Sequence, residues 1–359
     1  MTQFIFIGAA ALLSVISMPI IIKFCKKFSL YDSQNARKIH SGDIPRLGGV
    51  GIAISFFIVA FLCVIFEKNI DLFSNLPLLI AALIIFVFGI VDDILELPAY
   101  AKLLVQLVAV SLVTFSCYRF TQIFAWKLPT ILSFMLTFGW ILGVINAYNL
   151  IDGLDALCGS LSFTALVSLG IILSVFKIPE AIICFILAGS IFGFLCFNWP
   201  PAKLFMGDGG SQFIGFMIAT IPLYSTEGLS FEYNKLLIMI ILASFPIFDT
   251  IAAIWRRLRD KRPIMSPDKM HLHHKFLNLG YTRKQTLFII LGIQILLCVC
   301  VVLSIFLEKF RGTAFLMEAF IFMCIFFGIM HYTNRAVLRK QSKVEEEKAN
   351  ETEEKKLYE

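Results

Sequence analysis

Charged side chains are scarce in this 359-residue chain, 16% against 58% for AVILMFWYC, and that shortage excludes an ordinary soluble domain. The nine cysteines show no CxxC pairing, so neither a disulfide framework nor a thiolate zinc site is indicated, and they read as small apolar filler. No positive charge precedes the first apolar run at 4–22, whereas Lys23, Lys26 and Lys27 follow it, the reverse of a cleavable signal peptide. The net charge of +6 does not indicate nucleic acid, because the basic residues lie in loops between apolar runs and are not interleaved with aromatics on a polar face. A transporter or channel would carry ionisable or helix-breaking residues at the midplane of corresponding halves, with some internal repeat, and neither is present. A scaffolding membrane protein would have no reason to gather aspartates on one side.

What is abundant is apolar sequence of bilayer length. Runs fall at 4–22, 47–66, 74–91, 103–121, 128–146, 159–176, 180–197, 211–225, 235–254, 286–307 and 313–331, and predict an all-α polytopic integral membrane protein with about 11 transmembrane helices. With the N-terminus outside, 24 of the 31 Lys and Arg fall in inside segments and seven outside, in agreement with the positive-inside rule. Residues 1–331 are therefore expected to form one transmembrane domain, and 332–359, ending in EEEKANETEEKK, a charged cytoplasmic tail.

The inside loops carry the chemistry. They hold RKIHSGDIPRLGG at 37–49, VDDILELPAYAK at 91–102, NAYNLIDGLD at 146–155, FNWPPAKLFMGDGGS at 197–211 and a basic stretch ending in HLHHK at 275. Asp92 and Asp93 end the third run, where a charge near hydrocarbon needs a cation or a role, the plain alternative being a hydrated helix end with Lys102 as counter-charge. Asp152 and Asp155 would share a face with Asn149 if the segment is helical. Asp208 sits in a Gly-Asp-Gly-Gly turn that lets a ligand approach backbone and carboxylate. Five aspartates on one surface repel one another without a cation, and oxygen-only ligation suits magnesium shared with substrate phosphates. Lys38, His40, Arg46 and the arginines of 256–262 are donors for such phosphates on the same face, although positive-inside charge alone also accounts for each of them. His271, His273 and His274 cluster without the cysteine or second histidine group that would complete a zinc site, and suit sugar hydroxyls and phosphate oxygens. Asp249, beyond Pro246, is either an active-site carboxylate or a structural partner of Arg256.

These five motifs, in order from about residue 37 to 276, closely resemble the polyprenyl-phosphate N-acetylhexosamine-1-phosphate transferases, which include phospho-MurNAc-pentapeptide translocase. Ile44-Pro45-Arg46-Leu47-Gly48-Gly49, where the translocase has a TPTMGG-like motif, and the HLHH element resemble the GlcNAc-1-phosphate branch; Leu272 stands where Ile is more usual. The resemblance implies transfer of GlcNAc-1-phosphate from UDP-GlcNAc to undecaprenyl phosphate, with UMP released, as the first lipid-linked step of a cell-envelope polysaccharide. Another UDP-N-acetylhexosamine or UDP-MurNAc-pentapeptide is the alternative donor. It implies magnesium, with manganese as a substitute, held by Asp208 and Asp152 with Asn149 supporting the site. Asp155, Asn198 and Phe205 would form the uridine pocket, and Lys38, Arg46, Asn149, His271, His273 and His274 count with them as substrate-binding. Asp92, Asp93 and Lys102 would be catalytic, one of the aspartates accepting a proton from the lipid phosphate or orienting it. The setting implied is the lipid bilayer of the bacterial cytoplasmic (inner) membrane, and a homodimer is left open.

Overall fold

Backbone amides and carbonyls in hydrocarbon must be satisfied within their own segment, and for long apolar runs that leaves the α-helix. The computed structural model describes residues 2–31, 44–66, 72–224, 230–263 and 270–357. Thirteen α-helices account for most of these residues: α1 (Thr2–Lys27), α2 (Gly48–Phe66), α3 (Leu72–Leu95), α4 (Ala99–Thr114), α5 (Thr130–Ile151), α6 (Leu157–Val175), α7 (Ala181–Asn198), α8 (Gly207–Thr220), α9 (Ser230–Leu242), α10 (Ser244–Arg259), α11 (Leu272–Asn278), α12 (Arg283–Ser304) and α13 (Lys309–Leu357). The strand content among the described residues is one small antiparallel hairpin, β1 (Gln122–Ile123) with β2 (Trp126–Lys127), in the connection before α5.

Each of the eleven apolar runs contains helix, but they are not eleven equal spans. Among the described residues eight helices are long and apolar enough to cross a membrane: α1, α2, α3, α5, α6, α7, α12 and α13. The run at 235–254 is a pair, α9 and α10, bent by 70° at Ala243. Pro246 explains the break, since it lacks the N–H that would bond to the carbonyl of Leu242. That freed carbonyl accepts instead from Gln294 Nε2 of α12 at 2.9 Å. The runs at 103–121 and 211–225 yield the shorter helices α4 and α8, of 16 and 14 residues. Burial is the reason for α8: Gly209–Thr220 are all buried among α2, α3 and α5, so its length is set by protein neighbours and not by lipid.

The expected boundary at 331 is not marked by a break in the backbone, because α13 continues from Lys309 through Leu357. The outer helices turn apolar side chains outward, as Leu12, Ile16 and Ile20 of α1 and Ile321, Ile325 and Ile329 of α13 do. On α10 the usual amphipathic sense is inverted: Asp249, Arg256 and Arg257 are buried, whereas Ile251, Trp255 and Leu258 are exposed. An apolar outer face with a polar inner one belongs in a bilayer.

Candidate active site

Alternating helix directions bring the C-terminal ends of α3, α5 and α7 and the N-terminal ends of α4, α6 and α8 to one end of the bundle, with α11 beside them. Each of the loop motifs with described residues lies there, and backbone contacts join one to the next. The first meets the fourth: Phe205 N donates to Pro45 O, Gly48 N to Phe205 O and Gly49 N to Met206 O, each at 2.8 Å. Phe205 is thus fixed through its backbone on both sides.

The second motif meets the fourth through Asp93. Its carboxylate accepts from the amides of Asp208 at 2.9 Å and Gly209 at 3.0 Å, the first amides of α8. Those N–H groups have no partner within their own helix, so the anion from α3 satisfies them and complements the positive end of the helix. Gly207, with φ of +79°, makes the turn into α8, and a Cβ there would lie 2.7 Å from Asp93 Oδ2 and against the carbonyl of Arg46. Asp93 is therefore placed to hold α8, a structural duty that the adjacent pair of aspartates in the sequence did not separate from catalysis.

Asp92 points differently. Its Oδ2 lies 2.5 Å from Lys102 Nζ, and Oδ1 accepts from Leu97 N at 3.0 Å. The same Lys102 ammonium donates to Asp208 Oδ2 at 3.1 Å, and the Asn149 side chain also hydrogen-bonds to Asp208. Lys102 therefore bridges two carboxylates from α3 and α8 that would otherwise repel each other. Asp92 is 1% exposed at its side chain and Asp208 39%, so the open edge of the cluster is at Asp208.

The third motif does not continue as a helix. Strand-like and helical periodicity both fail past Ile151, where Asp152 caps α5 with ψ of 40° and Ala156 takes a left-handed φ of 61°. Asp152 and Asp155 are thus not on one helical face, as the three-residue spacing suggested. Asp155 Oδ2 accepts from Ala202 N at 3.2 Å. Asn198 uses both ends of its amide on backbone, accepting from Ala156 N and donating to Leu204 O, each at 2.8 Å. Asp155 and Asn198 brace the 152–156 turn against the loop that carries Phe205.

The histidine element closes the array. Asp249 of α10 accepts from Leu272 N at 2.9 Å and lies 2.9 Å from His271 Nδ1, so one carboxylate orients the His271 ring and binds the start of α11. This is an engagement that neither of the two sequence readings of Asp249 included. His273 is buried against Gly153, where a Cβ would come within 2.7 Å of its Cε1, and the half-buried His274 ring lies 4.3 Å from it. Burial, reinforced by His274, pushes His273 down to about 3. Folding thus favours the neutral ring: its contribution is complete above the ordinary value near 6.5 and is lost as pH falls toward 3, by about 1.4 kcal/mol per pH unit. The thermal transition of the wild type is expected to drop more between pH 7 and pH 5 than that of His273→Asn. Equal slopes would remove His273 as the acid-sensitive group.

Of the residues singled out in the sequence, Asp92, Lys102, Asn149 and Asp208 form one contact cluster; Asp93, Asp155, Asn198 and Phe205 hold the loops around it; His273 packs on the third motif at Gly153, with His274 beside it and His271 on Asp249. Arg46 acts electrostatically on Asp93. Lys38 lies outside the described residues, as does His40. Among the described residues no three His, Cys, Asp or Glu side chains form a ready-made metal cage. Gln106, Gln212 and Asn146, directly beneath the cluster, were missed in the sequence. The available signal was helical spacing, since Gln106 and Gln212 each follow a site residue by four positions.

The chain matches glycosyl transferase family 4 over residues 75–226. It is 35% identical over 287 residues, 77% of each chain, to the Bacillus subtilis probable undecaprenyl-phosphate N-acetylglucosaminyl 1-phosphate transferase. It is 31% identical over 283 residues, 75% of this chain and 74% of the relative, to the Escherichia coli undecaprenyl-phosphate alpha-N-acetylglucosaminyl 1-phosphate transferase. The Mycobacterium leprae decaprenyl-phosphate N-acetylglucosaminephosphotransferase is 31% identical over 290 residues, 71% of each chain. The polytopic helical chain, with its polar cluster at one end of the bundle, belongs to glycosyl transferase family 4, the family of the membrane-bound polyprenyl-phosphate N-acetylhexosamine-1-phosphate transferases.

Proposed function

We propose that this enzyme transfers GlcNAc-1-phosphate from UDP-GlcNAc to undecaprenyl phosphate at the cytoplasmic face of the bacterial inner membrane, giving undecaprenyl-diphosphate-GlcNAc and UMP. The observation that carries the reading is the Lys102 bridge between Asp92 and Asp208, with Asn149 on the same carboxylate, at the bundle end that the Lys/Arg distribution assigns to the inside. The names of the relatives point to the same donor sugar and lipid acceptor.

Both reactants are anions, so charge must be neutralised before they meet. The lipid phosphate oxygen attacks the phosphorus that bears the sugar; the new P–O bond forms as the bond to the UMP oxygen breaks, and the electron pair leaves with UMP. A phosphate monoester has its second pKa near 6, so much of the acceptor is already dianionic at neutral pH and proton removal is a small part of the task. Lys102, shared by Asp92 and Asp208, is placed to exchange one carboxylate for a phosphate oxygen and keep the other. Asp92 then orients the Lys102 ammonium or takes the remaining acceptor proton.

The donor set at the open edge fits magnesium: the partly exposed Asp208 carboxylate and the Asn149 amide are hard oxygen ligands, and magnesium is usually held by one or two carboxylates with substrate phosphates completing its shell. Asp208 would hold it, with Asp152 from the end of the helix that carries Asn149 as the second carboxylate. When bound, the cation would neutralise the diphosphate of the nucleotide sugar. We favour direct attack over a covalent phosphoryl-aspartate, because one site that accommodates both anions needs no extra intermediate. A one-to-one burst of UMP from enzyme and UDP-GlcNAc alone would count against it.

The deciding experiment is UMP release by purified protein in detergent, given UDP-GlcNAc with and without undecaprenyl phosphate and with EDTA as control. Release that needs both lipid and divalent cation is expected. Release only with UDP-MurNAc-pentapeptide or UDP-GalNAc would keep the chemistry and overturn the donor. Because one carboxylate serves both His271 and the start of α11, Asp249→Asn is expected to reproduce His271→Ala, each raising KM for UDP-GlcNAc roughly tenfold with the smaller effect on kcat. Unchanged KM in both would leave the histidine element structural.

A further inference from the structure

Two polar layers are stacked in this half of the bundle. The upper is the cluster of Lys102, Asp208 and Asn149. The lower lies one helical turn deeper: Gln106 follows Lys102 by four residues on α4, Gln212 follows Asp208 by four on α8, and Asn146 precedes Asn149 by three on α5. Its members bond to one another. Gln106 Nε2 donates to Gln212 Oε1 and Asn146 Nδ2 to Gln106 Oε1, both at 3.0 Å, and Asn146 Nδ2 also donates to Leu142 O at 2.8 Å. Gln106 and Gln212 are buried.

Stability does not account for this layer. Replacing both partners of a buried hydrogen bond by apolar groups of like shape is close to neutral, and here Gln212 Nε2 is buried with no hydrogen-bond partner among the described residues. A polar contact inside an apolar interface does something apolar packing does poorly, which is to fix register. Against α2 and α3 the position of α8 is set by close packing: its first turn meets them glycine to glycine, Gly210 against Gly49 and Gly209 against Gly89, and Phe213 one turn deeper packs against Phe56, Phe57 and Phe86. Asp93 ties that end of α8 to α3. Helix α4, however, rests on α3 and α5, and among the described residues the side-chain bonds that join it to α8 are those of Lys102 and Gln106. A slip of α4 by one residue would move Lys102 by about 1.5 Å and turn it by about 100°.

We propose that Gln106, Gln212 and Asn146 form a positioning layer that sets the register of α4 against α8 and so keeps Lys102 on Asp208 during transfer. The layer acts through these two residues and not on substrate, and the inference rests on the reading of the Asp208 cluster as the active site.

Two substitutions separate positioning from bulk structure. Gln106→Met keeps length and volume but removes both bonds. Gln106→Glu keeps an acceptor for Asn146, and Gln212, by turning its amide round, donates its unused Nε2 to the same carboxyl group. Gln106→Met is expected to lower kcat for UMP release at least about tenfold with KM for UDP-GlcNAc unchanged, as a small misplacement of a reacting group does. Gln106→Glu is expected to restore most of the rate. A second readout needs no activity: labelling of Lys102 by an amine-reactive reagent, followed by mass spectrometry, should rise several-fold in Gln106→Met and not in Gln106→Glu.

Wild-type kcat and labelling in Gln106→Met would overturn the proposal. So would equal losses in the Met and Glu variants, or a loss that tracks the fraction of folded protein. Failure of the wild type to release UMP from any UDP-sugar sinks the active-site reading instead, and the labelling then decides the layer alone.

Discussion

Asp208→Asn is expected to reduce UMP release about a thousandfold or more while the protein stays folded. The substitution keeps the shape of the side chain and the backbone amide that donates to Asp93, so the attachment of α8 to α3 survives. What disappears is negative charge at the one point where Lys102, Asn149 and the open edge of the cluster meet. Lys102 then has Asp92 alone as counter-ion, and the bridge that holds it between α3 and α8 is lost. Loss of the anionic ligand proposed for the cation that neutralises the reacting phosphates is worth factors of this size. The measurement is kcat/KM for UMP release beside a thermal unfolding curve in the same detergent. Asp152→Asn belongs in the same series, with partial recovery at raised magnesium expected for one of the two. Wild-type turnover of either at ordinary magnesium would remove that residue from the site.

Gly207→Ala is expected to be the most damaging single-methyl change near the site. Gly207 has a φ that L-residues adopt at about 1 kcal/mol or more, and its added methyl would meet Asp93 Oδ2 at 2.7 Å and the Arg46 carbonyl. Overpacking of this kind typically adds about 1–3 kcal/mol. Both neighbours are holding pieces: one carries the anion that binds α8, the other belongs to the loop paired with 205–206. Displacing them shifts Asp208, so activity should fall about a hundredfold together with a lower thermal transition. Gly292→Ala on α12, where nothing lies within 4 Å of the new methyl, is the control and should be neutral or slightly stabilising. A Gly207→Ala protein with the stability and rate of the wild type would show that the turn into α8 is slack.

The apolar runs located every long helix because hydrophobicity over bilayer length is a direct physical requirement on sequence. They did not distinguish a lipid-facing span from α8, whose neighbours are other helices and whose composition is equally apolar. The bend between α9 and α10 was signalled by Pro246, but its angle depends on Gln294 being present on α12 to take the orphaned carbonyl, a contact across 52 positions. In the site, residue types pointed to the surface and the chemistry. Partner choice was not legible: adjacent Asp92 and Asp93 differ because one faces Lys102 and the other the amides of α8, which only the packing of α3 against α4 and α8 decides. Asn198 was expected in the uridine pocket through the family resemblance; that both ends of its amide are engaged by backbone was not legible from the motif. Gln106 and Gln212 were not legible because they sit inside apolar runs, and Asn146, although it opens the third motif, carried no sign of its partner on α4.

The Lys102 bridge bears on how the chain enters the membrane. Asp92 and Lys102 lie on successive helices joined by a short connection, so the α3–α4 hairpin carries its own counter-ion as soon as it emerges. Asp208 arrives only with α8, four helices later, and joins a pair already formed. Asp93 has no such early companion from α4, and the amides that it accepts belong to the late helix. Within the α3–α4 hairpin one aspartate thus has its ammonium partner, whereas its neighbour has the more distant Arg46 and is completed by the amides of α8.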